Sequence, residues 1–327
     1  MDLHGWTPIY GYQKDSRFLL DFCFTGDCRF TEPFMHETVQ RLLRDPAVLL
    51  FRQRIEIERA AEWCGRNPGM KPAGFIFHMS RCGSTLVAQM LSQIARNRVL
   101  SEPAAIHSVL ASSCARAVKI ERLRTVVSAL GRPVQDESQF FIKLDCWHTL
   151  DLPLLLEAFP GTPWIFVYRS PAEVLVSHAR MPGAWLIPGL LDPGSFGLND
   201  EAVSGMSQTE YRAHLLARIC EAALEFQGVG AGMLVNYGQL PGFVLDELPA
   251  HFGVSFSAAE LDLMRVASQA NAKVPGSRHR DDRTAKQLEV TAAMREALSG
   301  ALALAYARLE LSRRKPSIEP GILILVK

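Results

Sequence analysis

Eight consecutive residues, His78-Met79-Ser80-Arg81-Cys82-Gly83-Ser84-Thr85, place a cation, a glycine and two hydroxyls between an apolar run and an amphipathic one. A strand, a tight polar loop and a helix N-terminus make an anion cradle, because backbone N–H groups converge there and the helix dipole adds partial positive charge. Gly83 lets the backbone approach a phosphate closely, and Ser84 and Thr85 add hydroxyl donors. The loop is not a Walker A sequence, which needs Gly at 78 and Lys at 84, where this chain has His78 and Ser84. Its cation comes earlier, as Arg81. The plain alternative is a strand–helix turn that holds no ligand. A second segment, Tyr168-Arg169-Ser170-Pro171, also ends an apolar run and opens a helix that carries Ser177. At the carboxyl edge of a sheet, Arg169 can grip a phosphate in a bidentate contact, and Ser177 adds a hydroxyl. Arg169 can equally pair with Glu173, and the residues alone do not choose.

The elements that must position these loops are legible as alternation. Five apolar runs read as strands: 74–79, 98–100, 140–143, 164–168 and 233–236. Helical spacing is expected over 86–95, 150–159, 172–180, 210–227 and 241–251. Strands alternating with helices argue for a parallel sheet with helices on both faces. Residues 1–67 form a separate aromatic-rich region of unassigned role, helix-like from Glu37 to Trp63 and closed by the turn cluster Arg66-Asn67-Pro68-Gly69. Three roles are open for it: packing on the main domain of residues 68–327, covering a substrate site, or mediating a homodimer. Two connections are long. Met181 to Ser207 is rich in Gly and Pro and carries Trp185-Leu186-Ile187, and Ala270 to Arg283 is polar and basic. Long loops in a compact domain are usually functional or disordered, and ligands of open α/β sheets sit at the carboxyl ends of the strands. A lid over that edge is expected from the first loop.

Taken together, the two loops resemble the sulfotransferase superfamily that uses 3′-phosphoadenosine 5′-phosphosulfate (PAPS). Arg81-Cys82-Gly83-Ser84-Thr85 is similar to that family's loop for the 5′-phosphosulfate, and Arg169 with Ser177 eight residues later matches its site for the 3′-phosphate. Leu234-Val235-Asn236-Tyr237-Gly238-Gln239-Leu240 is similar to a third family segment, and His251-Phe252-Gly253-Val254-Ser255 to the phrase that follows it. The resemblance spans roughly residues 70 to 310 and keeps the order of the parts. It implies a P-loop-type three-layer α/β sandwich around a parallel sheet of about five strands. The cytosolic branch's catalytic His is absent from Lys143-Leu144-Asp145. The tyrosylprotein-sulfotransferase-like and bacterial branch instead has a Glu 21 residues after the loop Arg, which here is Glu102. A first-turn carboxylate near Pro103 is the plain reading of the same residue.

The implied reaction is an in-line transfer of a sulfuryl group to a hydroxyl or amine of a small-molecule or peptidyl acceptor, leaving 3′-phosphoadenosine 5′-phosphate (PAP). Glu102 would be the base, Arg81 would stabilise the leaving phosphate, and Lys143 would aid the sulfonate or hold Glu102. His148 is the second candidate base. Arg81, Cys82, Gly83, Ser84, Thr85, Arg169, Ser177, Tyr237 and Arg280 would hold the nucleotide. Arg280 belongs to Ser277-Arg278-His279-Arg280, which stands where the family has a basic loop, with Lys286 a further candidate. Two departures are visible: Cys82 is a weaker donor than a hydroxyl, and Gly238 stands where the family has Glu. The competing functions are an ATP-dependent P-loop kinase and a non-catalytic nucleotide-binding protein.

Composition narrows the field. The 327 residues are 48% hydrophobic and 21% charged, ample for a core and against disorder as the dominant state. The formal charge of +1 argues against nucleic acid as a partner. No run approaches the length needed to span a bilayer, and Met1 to Tyr10 lacks the apolar core of a secretory signal. Seven scattered cysteines suit reduced thiols in a cytoplasmic protein. Cys23 and Cys28 are too isolated for zinc, which usually takes four ligands, and the resemblance likewise implies no metal.

Overall fold

The structure is a computed structural model that describes residues 2–270 and 283–314. Its first part is a small antiparallel sheet. Strand β1 (Trp6–Lys14) turns at Asp15 into β2 (Arg17–Phe24), and β3 (Gln53–Glu56) adds to the far side of β2. Phe18, Leu20 and Phe22 point to one face of β2 and are fully buried, the period-2 pattern of a strand. The expected helix from Glu37 to Trp63 is instead α1 (Met35–Leu42), α2 (Pro46–Leu50), β3 and α3 (Ile57–Arg66). Pro46 supplies the break. It cannot continue a helix, but it opens one well, and Asp45 caps the new turn by accepting from the Ala47 N–H at 2.8 Å.

The main sheet has five parallel strands in the order β5-β6-β4-β7-β8. They are β4 (Pro72–His78), β5 (Asn97–Ser101), β6 (Gln139–Lys143), β7 (Trp164–Tyr168) and β8 (Gly232–Asn236). All five lie where the sequence places them. Their almost continuous burial reflects helices on both faces. The connection from β4 runs through α4 (Ser84–Ser92) to β5. After it come α5 (Ala104–Leu110) and α6 (Arg116–Leu130), which lead to β6. The connection from β6 crosses back over β4 through α7 (Leu152–Ala158) to β7. With the right-handed crossovers that parallel sheets adopt, these two connections lie on opposite faces. The carboxyl ends of β4, β5 and β6 therefore meet where connections diverge, the usual crevice for a ligand. This is the expected three-layer α/β sandwich.

The apolar side chains of both sheets belong to one continuous core, which runs from Leu3, Phe22 and Trp63 through Phe75, Phe141 and Phe166 to Leu309. Strand β1 packs on α5 and α6, with the Gly11 N–H bonded to Ser108 Oγ at 3.0 Å and Arg122 over the Phe18 ring at 4.4 Å. Helix α8 (Pro171–Arg180) follows β7, and the helix Gln208–Glu225 packs on the last helix among the described residues, Ala301–Arg314.

Candidate active site

The register of the sheet assembles the site. Lys143 ends β6, level with Ile76 on β4 and Ser101 on β5. One residue past Ser101, Glu102 turns out of the strand with φ +57°, and its N–H bonds to the Lys143 carbonyl at 2.7 Å. That turn sends the carboxylate back to the Lys143 ammonium, which it pairs through Oε1. Two of the three residues read as catalytic from sequence, Glu102 and Lys143, are thus in contact; the third is Arg81. Lys143 is 1% exposed, whereas Glu102 keeps 21%, so the carboxylate is the open face of the pair.

His78 supports Glu102 from β4. Its Nδ1 accepts the Ser80 N–H at 3.0 Å, which leaves the proton of the neutral ring on Nε2. Nε2 then donates to the Leu144 carbonyl at 3.0 Å and lies 3.5 Å from Glu102 Oε1. Burial alone would raise the Glu102 pKa, but the Lys143 charge and the His78 contact outweigh it and hold the carboxyl well below the usual range. Asp145, which sequence reasoning passed over, shows the opposite: burial first, then the neighbouring Glu102 charge, push it well above its ordinary value. Two adjacent carboxyls that cannot both ionise divide in this way.

The loop between β4 and α4 is strained where a ligand cradle would be. Ser80, Arg81 and Gly83 all have positive φ, +74°, +50° and +93°, a backbone state that persists in non-glycine residues mostly at functional sites. Gly83 starts α4 and, having no side chain, gives the first-turn amides no cap. A Cβ on Gly83 would sit 2.7 Å from Tyr237 Cδ2 and 2.8 Å from Leu240 Cδ1. Only glycine fits between these amides and Tyr237. Cys82 does not point into the cradle. Its Sγ is buried and bonds to the Val167 carbonyl at 2.9 Å, so only its backbone is placed to meet an anion. Arg81 reaches across the crevice to the Met181 carbonyl at 2.8 Å, where the long loop begins.

Tyr237 links the cradle to the second phosphate candidate. The Arg169 guanidinium lies over its ring at 4.1 Å and pairs with Glu173 one turn into α8. The carboxylate pairing left open by the sequence is therefore present. Ser177 lies one further turn along the same face as Glu173 and is half-buried. Arg278 and Arg280 lie outside the described residues, as do Ser277 and His279. Lys286 is buried on the helix Arg283–Leu288, which packs on α8. Arg180 at the end of α8 pairs with Glu289 at 2.8 Å.

His148, the second candidate base, is buried and bonded through Nε2 to His107 Nδ1 at 3.0 Å. Burial pushes its pKa well below the ordinary value, and its surroundings are those of a packed residue. Beside it, the Trp147 ring packs at a tilt against Trp185 of the long loop, with centroids 5.8 Å apart. Trp185 and Leu186 are already buried, at 9% and 3%, and only Ile187 is exposed, at 53%. Two of the three residues of this triplet thus form a folded wall rather than an open flap.

The far edge is closed by a network the sequence did not announce. Glu310 accepts from Tyr168 Oη at 2.6 Å and from Asn236 Nδ2 at 2.8 Å, and pairs with Arg313 at 2.8 Å. It ties the last helix to the ends of β7 and β8.

No family model matches the chain, and no curated protein matches it. Among the described residues no three metal-ligating side chains cluster, and no helix is long and apolar enough to cross a membrane. The fold is similar to solved structures of three sulfotransferases. One is from Alicyclobacillus acidocaldarius, at 15% identity, covering 75% of this chain and 97% of that one, with a TM-score of 0.46. Another is sulfotransferase STF9 from Mycobacterium avium, at 12% identity, covering 80% and 82%, with a TM-score of 0.49. The third is the sulfotransferase domain from the curacin biosynthetic pathway, at 16% identity, covering 76% and 100%, with a TM-score of 0.43. These are likenesses of fold, and any reading of activity rests on this chain's own residues.

Proposed function

We propose that the protein is a PAPS-dependent sulfotransferase acting on a hydroxyl or amine acceptor. The observation that carries this reading is the Glu102–Lys143 pair, set beside an uncapped, glycine-started helix N-terminus with Arg81 at its rim. One face of that arrangement suits a phosphosulfate and the other suits the proton of an attacking nucleophile. The cradle amides and Arg81 are the groups for the 5′-phosphosulfate, with Arg169, Ser177 and Tyr237 for the nucleotide's second phosphate. A serine at position 84, where a kinase loop has its lysine, speaks against ATP as donor.

The chemistry follows from positioning and charge. The acceptor oxygen or nitrogen attacks sulfur, the bond from sulfur to the bridging oxygen breaks, and the electron pair leaves with PAP. Arg81 and the loop amides offset charge growing on the departing phosphate. Glu102 takes the acceptor's proton. While it is paired with Lys143, its basicity is suppressed. As Lys143 is drawn toward the sulfuryl oxygens, that suppression eases and the carboxylate becomes a better base. No metal enters this scheme.

A thermal-shift titration with PAP and ATP tests the reading. A ligand selective for the native state adds stability as RT ln(1 + [L]/Kd). PAP at micromolar concentration should raise the melting temperature well before ATP does. A shift with ATP alone would move the reading to the kinase class.

A further inference from the structure

The N-terminal segment reaches the catalytic pair. After the β-hairpin, the chain runs as a strap along α4. Arg29 donates to the carbonyls of Ser92 at 3.1 Å and Ile94 at 2.8 Å, at that helix's far end. Two residues later the Thr31 carbonyl accepts from Gln89 at 3.1 Å. Glu32 then anchors the strap to α1, accepting from Arg41 Nε at 2.6 Å and from Thr38. Between these anchors and α1 stands Phe34, the residue that caps α1, in extended backbone. Its ring lies 5.0 Å from Lys143 Nζ. The same ring stacks on His36, with centroids 5.5 Å apart.

We propose that Phe34 is a positioning residue for Lys143: the strap lays its ring over the ammonium, shuts water out, and holds the charge on Glu102 and the reaction crevice. Resting on the sulfotransferase reading, this gives the N-terminal region a part in catalysis. A buried ammonium without water must find its partners in the protein. Here Glu102 supplies one, and the π-face of Phe34 supplies another that attracts the cation without taking its proton. A carboxylate in the ring's place would hold Lys143 too tightly to share it. An aliphatic residue would fill the space but offer no negative face. A charge kept from water also acts more strongly on a developing anion than a solvated one.

Two readouts separate the roof from the chemistry. In the first, the full chain is labelled with trace acetic anhydride and Lys143 acetylation is followed by mass spectrometry. Lys143 should react at least about tenfold faster in Phe34→Ala than in the unmodified protein, while Phe34→Leu and Phe34→Tyr stay slow. Equal labelling of Lys143 in Phe34→Ala and in the unmodified protein overturns the roof, whatever the protein's activity. In the second, PAP release from PAPS with water as acceptor is measured. Phe34→Leu should lose about tenfold in kcat with KM for PAPS within about threefold, and Phe34→Tyr, which keeps the ring face, should recover most of that loss. A Phe34→Leu variant that turns over like the unmodified protein overturns the positioning role. If the unmodified protein neither binds PAP nor releases it from PAPS, the donor assignment fails, and the labelling arm still decides whether Phe34 roofs Lys143.

Discussion

On the proposed reading Glu102 meets two demands at once, since it would stabilise a buried ammonium in the resting protein and accept a proton during turnover. Glu102→Gln separates them. Gln keeps the shape and an oxygen for Lys143 but cannot take the acceptor's proton, so turnover should fall by about 10²–10⁴ while PAP still binds. The same change leaves Lys143 charged and without its counter-charge, and breaking a buried pair from one side costs about 3–5 kcal/mol. The loss has a pH signature. The folded pKa of Glu102 lies below its unfolded value of about 4.3, so the pair's contribution is fully present above that value and fades as the pH drops toward the folded one. Denaturant titrations should show a wide gap between the two proteins at pH 7 that narrows below pH 4, and a constant gap would mean the ion pair is not what stabilises this region. Glu102 was legible in the sequence through its spacing from Arg81 and its place after a strand. Asp145 and Phe34 were not. Asp145 matters only through its nearness to Glu102, and Phe34 meets Lys143 across more than a hundred residues of chain.

Among the elements, the cradle depends on one residue without a side chain. Gly83 has φ +93°, and a Cβ there would press within 2.8 Å of Tyr237 and Leu240. Gly83→Ala therefore combines a left-handed backbone penalty of about 1–2 kcal/mol with overpacking of about 1–3 kcal/mol. It pushes on the ring that carries Arg169, so it should lower the melting temperature and weaken PAP together. Gly65→Ala is the control. It lies on α3 with open space around it and should gain about 0.5–1 kcal/mol by helix propensity. A Gly83→Ala protein that melts and binds PAP normally would mean the loop does not need this geometry. The five strands of the main sheet were readable because each is a short apolar run bounded by turn residues. The N-terminal strands were hidden. Apolar residues occupy both faces of β2, with Leu19 and Cys23 on the face opposite the buried Phe18, Leu20 and Phe22, and this masks the alternation that would mark a strand. The helical signal after Glu37 ran through Pro46 without betraying β3.

At the scale of the whole molecule, Glu310 fastens the last helix to the carboxyl edge of the sheet. Burial alone would raise its pKa, but hydrogen bonds from Arg313, Tyr168 and Asn236 bring it down to about 2. Its stabilisation is present above the unfolded carboxylate value of about 4.3 and is lost as the pH falls from there toward 2. Glu310→Gln should cost about 1.5–3 kcal/mol at neutral pH and flatten the acid limb of the stability curve over that interval. An unchanged acid limb would place the acid-sensitive contact elsewhere. None of this network showed in the sequence, because its members come from three distant segments and each looks like an ordinary polar residue at an element's end. The central claim concerns the ligand, and calorimetry with the intact protein addresses it most directly. PAP and AMP differ by the 3′-phosphate assigned to Arg169, Ser177 and Tyr237. PAP should bind at least about tenfold more tightly than AMP, a difference of about 1.4 kcal/mol or more. Equal affinity for the two nucleotides, or no binding of PAP at all, would contradict the assignment.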